Sequence, residues 1–123
     1  MPKSSEHKKK YLENKGIIES VLNEKNSEHC NWISTICFYA ALHMVEMRLA
    51  LDGIHSRDHV NRENNMASSK RISQYVLMRY KQMYTVSILA RYEAGSVNPT
   101  IAQQMKRYLK QIETDFEKEE TKN

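Results

Sequence analysis

The chain has 123 residues, with only three glycines, two prolines and two cysteines. So few turn-forming residues leave little material for the tight reversals of a sheet protein and argue for an all-α chain. The two cysteines, Cys30 and Cys37, lie seven positions apart. On a helix that spacing is roughly 10 Å along the axis, beyond the reach of a disulfide. There is no CxxC pair, and no secretion signal is read at the N-terminus, so a reduced cytoplasmic protein is expected. Gly-rich phosphate loops, HExxH and paired CxxC elements are missing too. Carboxylate-bridged di-metal bundles need two Glu-x-x-His elements, and the chain has only the reversed His43-Met-Val-Glu46, so neither a metal nor another cofactor is expected. Uninterrupted apolar runs of membrane length are also lacking. The best candidate, 32–51, is broken by Ser34, Thr35, His43, Glu46 and Arg48, and reads as a buried helix rather than a span.

Hydrophobic residues make up 40% of the chain, enough for one modest core, so a single domain over 1–123 is expected with fraying at 1–5 and 118–123. The formal charge is +4, and its distribution is uneven. From Asn64 to Tyr92 there is no acid, while Lys70, Arg71, Arg79, Lys81 and Arg91 are present; acids collect at Glu113, Asp115, Glu117, Glu119 and Glu120. These are either solvated helix faces or a basic face turned towards RNA or an acidic partner.

Four helices are read. The first runs from about Ser4 to Leu22, lysine-rich at its start and apolar at its end, and a polar connector follows over 23–31. The second covers about Asn31 to Leu51, closed by Gly53 in a left-handed conformation. Ile54–Ala67 has no period and reads as a long loop, a common place for function. Ser68 or Ser69 caps a third helix to about Glu93. Asn98 as N-cap with Pro99 at the first position opens a fourth, whose stripe is Ile101, Met105, Tyr108, Leu109, Ile112 and Phe116. Short connectors favour an antiparallel up-and-down four-helix bundle.

Several polar residues suit chemistry. Tyr39, His43 and Glu46 share a face of the second helix, where Glu46 is placed to fix the tautomer of His43; the rival is a histidine satisfied within the core. In the loop, His55, Arg57, His59 and Arg62 cluster. An imidazole three residues from a guanidinium suits phosphodiester work, with His59 moving a proton and Arg62 stabilising negative charge. Pairing of Arg57 or Arg62 with Asp58 or Glu63 is the structural alternative. Tyr80, Tyr84, Ser87 and Arg91 form a stripe on the third helix, ending beside Tyr92, where Arg91 also complements the helix dipole.

Three blocks, Trp32 followed by FYAALHMVE at 38–46, GIHSRDHVNR at 53–62 and YKQMYTVSILARY at 80–92, resemble a bacterial and archaeal branch of the HEPN (higher eukaryotes and prokaryotes nucleotide-binding) superfamily. They cover about half the chain. The resemblance implies a four- or five-helix up-and-down bundle, usually a homodimer, often from defence or toxin–antitoxin systems and paired with an antitoxin or other protein. Many members are metal-independent ribonucleases with an Arg-x4-6-His motif across a dimer interface. Here the only such match is Arg48 to His55, earlier in the chain than the family motif. The implied functions are an RNA-directed protein, catalytic through His43, His59, Arg62 and Arg91, with Arg57, His55, Arg79 and Lys81 on RNA and Glu46, Tyr39, Tyr84 and Tyr92 in support, or a non-catalytic module acting through a protein partner. Convergence of these side chains in one pocket favours the first, and their dispersal into separate pairs the second.

Overall fold

A computed structural model describes residues 3–20, 22, 29–93 and 95–121. Among these the chain is entirely helical: α1 is Ser4–Ser20, α2 Cys30–Ala50, α3 His59–Ser68, α4 Gln74–Tyr92 and α5 Pro99–Thr121. No helix is long and apolar enough to cross a membrane among the described residues. Most of the connector expected over 23–31 lies outside them.

α2 is the central helix and packs against all four others. Its Cys30, Ile33, Cys37, Ala41, Val45 and Leu49 are fully buried, recurring at three- and four-residue steps. At about 1.5–3 kcal/mol for each large apolar side chain removed from water, this stripe anchors the core. Both cysteines are buried, and no disulfide joins them, in keeping with their spacing. The helix closes as expected, with Ile54 N–H on the Leu49 carbonyl, Gly53 N–H on that of Ala50, and Gly53 at φ 72°.

Polar contacts fix the helix directions. Ser4 Oγ donates to the Met47 carbonyl and His7 meets His43, so α1 runs antiparallel to α2. Asn31, at the start of α2, bonds the Ala90 and Glu93 carbonyls at the end of α4, and Phe38, two turns further along α2, packs on Tyr84 and Tyr80, about two and three turns back from Ala90. Asn31 Oδ1 also accepts from Val97 N–H, while Arg48 reaches the Phe116 carbonyl at 2.7 Å, so α5 runs alongside α2 in the same direction. The four long helices thus alternate in direction along the chain.

The short helix α3 departs from the expected loop. Asp58 caps it, accepting from Asn61 N–H at 2.7 Å, and Arg62 N–H closes its first turn on the Asp58 carbonyl. Consequently the cap expected at Ser68 or Ser69 is Ser73, whose hydroxyl accepts from Val76 N–H at 3.1 Å. Ser69 instead holds Arg71 N–H in the turn between the helices. Asn98 caps α5 as expected, its side chain accepting from Ile101 N–H at 2.8 Å. α5 buries Met105, Leu109, Ile112 and Phe116, with Ile101 and Tyr108 on the margin of its stripe. Helical structure reaches Ser4 at one end and Thr121 at the other, into both segments where fraying is expected.

Candidate functional site

α3 lies across α2 and α4 and brings part of the polar set together. Glu46, on the buried face of α2, is only 3% exposed. Arg62, one turn into α3, reaches it: Nε donates to Glu46 Oε1 at 2.5 Å, and Nη1 to Tyr80 Oη at 3.4 Å. A buried carboxylate needs a partner of this kind, and the guanidinium supplies charge and direction together. Tyr80 has no exposed surface, and burial pushes its phenol up to about 12, so it is a neutral hydroxyl in this cluster. Neither Asp58 nor Glu63 holds Arg62. Asp58 is the helix cap, and Glu63 serves His59.

His59 lies flat on Tyr84, with ring centroids 3.4 Å apart and planes 8° from parallel. Its Nε2 is 2.5 Å from Glu63 Oε2, and Lys81 Nζ is 3.8 Å from the other oxygen of that carboxylate. Burial lowers the His59 pKa, opposed by the Glu63 charge. The contact is therefore a hydrogen bond from a neutral Nε2–H at neutral pH, not a full ion pair. A second proton would fall on Nδ1, which is buried and has no acceptor. One ring nitrogen of His59 is committed and the other is out of reach of solvent.

His43 is not held by Glu46. Its Nδ1 is 2.9 Å from Nδ1 of His7, on α1, with ring centroids 5.1 Å apart. One ring must present N–H and the other a lone pair, so the contact exists only when at least one of the two is neutral. Burial, reinforced by the charges of His7, Lys10 and Arg62, lowers the His43 pKa to about 4. His7 is lowered as well, again chiefly by burial, with Glu46 opposing and His55 and Arg62 assisting. His55 is half-buried, its Nδ1 without a partner.

The remaining candidates are dispersed. Arg91 sits about two turns beyond Tyr84 along α4, roughly 10 Å away. Its Nη1 donates to Tyr39 Oη and its Nε to the Ser87 carbonyl, both at 3.2 Å. Among the described residues no carboxylate pairs with it. Its guanidinium is also 5.6 Å from the ring centre of Tyr92, which is 77% exposed. Together with Trp32, Thr35 and Pro99 these two residues line an open groove of about 950 Å³ with no carboxylate in its lining. Arg79 is on another side of α4, between the rings of Tyr75 and Tyr108, with Nη1 on Gln82. Arg57 is exposed, and among the described residues only its backbone N–H is engaged, by Asn61 Oδ1. Arg48, the arginine of the Arg-x6-His match, is buried between the Phe116 ring and Glu120, remote in role from His55.

Sequence reasoning misses His7, and it finds Tyr80 only as a member of the α4 stripe, without its link to Arg62. His7 stands beside three lysines, and only its three- and four-residue steps to Ser4 and Tyr11 mark it as facing α2. Among the described residues there is no group of three or more histidine, cysteine or acidic side chains arranged to hold a metal ion. No family model matches the chain, and neither the curated proteins nor the solved structures hold a match to it.

Proposed function

We propose that this chain is a non-catalytic helical interaction module, an up-and-down bundle of the HEPN type that works through protein contact, including contact with a second copy of itself. The observation that carries this reading is the prior commitment of three of the four candidate catalytic groups, with the fourth, Arg91, set apart from them at the far end of α4. Arg62 is neutralised by Glu46 at 2.5 Å, His59 is bonded to Glu63 and covered by Tyr84, and His43 is paired with His7. A general base needs a lone pair within reach of the substrate, and a phosphate clamp needs an unneutralised cation. The polar residues of α2 and α3 instead fasten α1 and α3 to the central helix. The defence or toxin–antitoxin setting, and a cognate antitoxin as partner, follow from the sequence resemblance.

The test is a mixed tRNA and mRNA pool incubated with purified wild-type protein and with His59→Ala, each with and without chelator. Intact RNA in every arm is expected. Cleavage by the wild type that His59→Ala abolishes overturns the reading.

A second reading, RNA binding without cleavage, is favoured by Arg91, whose partners are all neutral, beside the exposed Tyr92. Single-stranded RNA bound through phosphates shows salt-dependent anisotropy that Arg91→Gln weakens. Absence of binding at low salt removes this reading.

A further inference from the structure

α4 has two apolar faces. One, containing Val76, Tyr80, Met83 and Ala90, is buried in the protomer. Opposite it, Tyr75, Met78, Gln82, Thr85, Leu89 and Tyr92 follow one another at steps of three, four, three, four and three, and all six are exposed. Their apolar members are 40%, 56%, 44% and 77% exposed in chain order. An alternating three-and-four repeat is the seam of a two-stranded left-handed coil. The other exposed large apolar residues of the helices, such as Leu12 and Ile17 on α1 or Val60 on α3, form no such line.

The stripe is also a palindrome. Reversed about the point between Met83 and Tyr84, Tyr75 falls on Tyr92, Met78 on Leu89 and Gln82 on Thr85. A two-fold interface requires this self-complementarity, in which one residue meets another and the second meets the first. Like pairs with like at each level: aromatic with aromatic, aliphatic with aliphatic, polar with polar. Gln82 uses its carbonyl oxygen on Arg79, and Thr85 donates its hydroxyl proton to the Lys81 carbonyl. The amide N–H groups of Gln82 are thus matched to the hydroxyl lone pairs of Thr85, a polar pair of the sort that fixes register. Charge favours the same direction. Arg79 and Lys81 lie in the N-terminal half of α4, whereas at its C-terminal end the charges of Arg91 and Glu93 offset each other. Antiparallel pairing opposes the helix dipoles and sets the cationic half against an end without net charge, whereas parallel pairing aligns the dipoles and sets the cations beside their own copies. Tyr92 adjoins the groove that Trp32 also lines, and an antiparallel pairing in this register would bring Tyr75 of a second copy to that groove.

We infer that the outer face of α4 binds a second copy of this chain antiparallel about a two-fold axis, pairing Met78 with the partner's Leu89 and Tyr75 with the partner's Tyr92. This deepens the interaction-module reading by naming the partner and the contact, and its test is indifferent to whether RNA is bound or cut.

Sedimentation of the full chain at tens of micromolar should give twice the 14.5 kDa protomer mass. Met78→Lys should raise the dimer Kd by roughly tenfold or more, because an isologous interface carries the change twice. Unchanged circular dichroism checks that the fold is kept. Direction and register are read by cross-linking. Met78→Cys chains mixed with Leu89→Cys chains should form a disulfide-linked dimer on mild oxidation, while neither alone should, since two copies of position 78 lie roughly 16 Å apart along the paired helices. A monomer at every concentration, a dimer untouched by Met78→Lys, or Met78→Cys that cross-links alone as fast as the mixture overturns the proposal.

Discussion

Glu46 of α2 and Arg62 of α3 meet at 2.5 Å where both side chains are largely withdrawn from water, 4% and 14% exposed. The pair holds α3 to α2, as the stacking of His59 on Tyr84 holds it to α4, since α3 itself buries only Met66. Removing one partner of a buried pair leaves the other charge without compensation, which costs about 3–5 kcal/mol. Glu46→Ala should therefore lower the unfolding free energy by that order. Replacing both residues with methionine should recover most of the loss, because the isolated charge is gone. Urea denaturation of the two single variants and the double variant measures this, and additive losses would contradict it.

The His7–His43 contact predicts a pH dependence of stability. Both histidines have folded-state pKa values below the ordinary 6.5, that of His43 at about 4, chiefly through burial. Between these values the unfolded chain binds protons that the folded chain does not, so stability falls as pH drops from 6.5 towards 4. Above pH 7 this contribution is flat. Urea midpoints compared at pH 7.5, 6 and 5 for wild type and His43→Gln isolate it from the carboxylates. The wild-type curve should fall more steeply, and parallel curves would rule the contact out as the cause.

Cys30 and Cys37 are fully buried, and burial pushes the Cys37 thiol up to about 12. Reaction requires thiolate and access; Cys37 lacks both and Cys30 lacks access. A thiol reagent at pH 8 should leave both unmodified in the native protein and label both at once in denaturant. Fast native labelling would mean that α2 separates from its neighbours far more often than its packing implies.

The long helices were legible because they announce themselves by period and cap. α5 has Asn98-Pro99 at its start and a repeating apolar stripe, and α2 has buried residues at every turn. α3 was hidden for the opposite reason. Ten residues that bury one methionine leave no period to read, and only the Asp58 cap marks the helix. The same property displaced the start of α4 to Ser73, since serines 68 and 69 are equally good caps by type. At the site, spacing placed Tyr39, His43 and Glu46 on one side of α2 but could not say which neighbours they meet. Glu46 takes a guanidinium from α3 and His43 an imidazole from α1, tertiary pairings that span 16 and 36 residues of sequence.

His59 separates a catalytic from a structural reading most directly. Its ring covers Tyr84 face to face, its Nε2–H is spent on Glu63, and its Nδ1 is buried without a partner. Such a residue contributes packing and one hydrogen bond. An aromatic pair adds about 0.5–1.5 kcal/mol beyond its area, and the hydrogen bond a similar amount. His59→Ala should thus lower stability by roughly 1–3 kcal/mol while changing no RNA-processing rate, whereas an acid–base residue would lose activity by about a hundredfold or more. His59→Phe sharpens the distinction, because it keeps a ring over Tyr84 and removes every proton-transfer function. It should recover part of the stability lost in His59→Ala. The measurements are denaturant midpoints and turnover of the same RNA pool for the wild type and both variants. A cleaving wild type whose activity both variants lose, with midpoints unchanged, would place His59 in the chemistry instead.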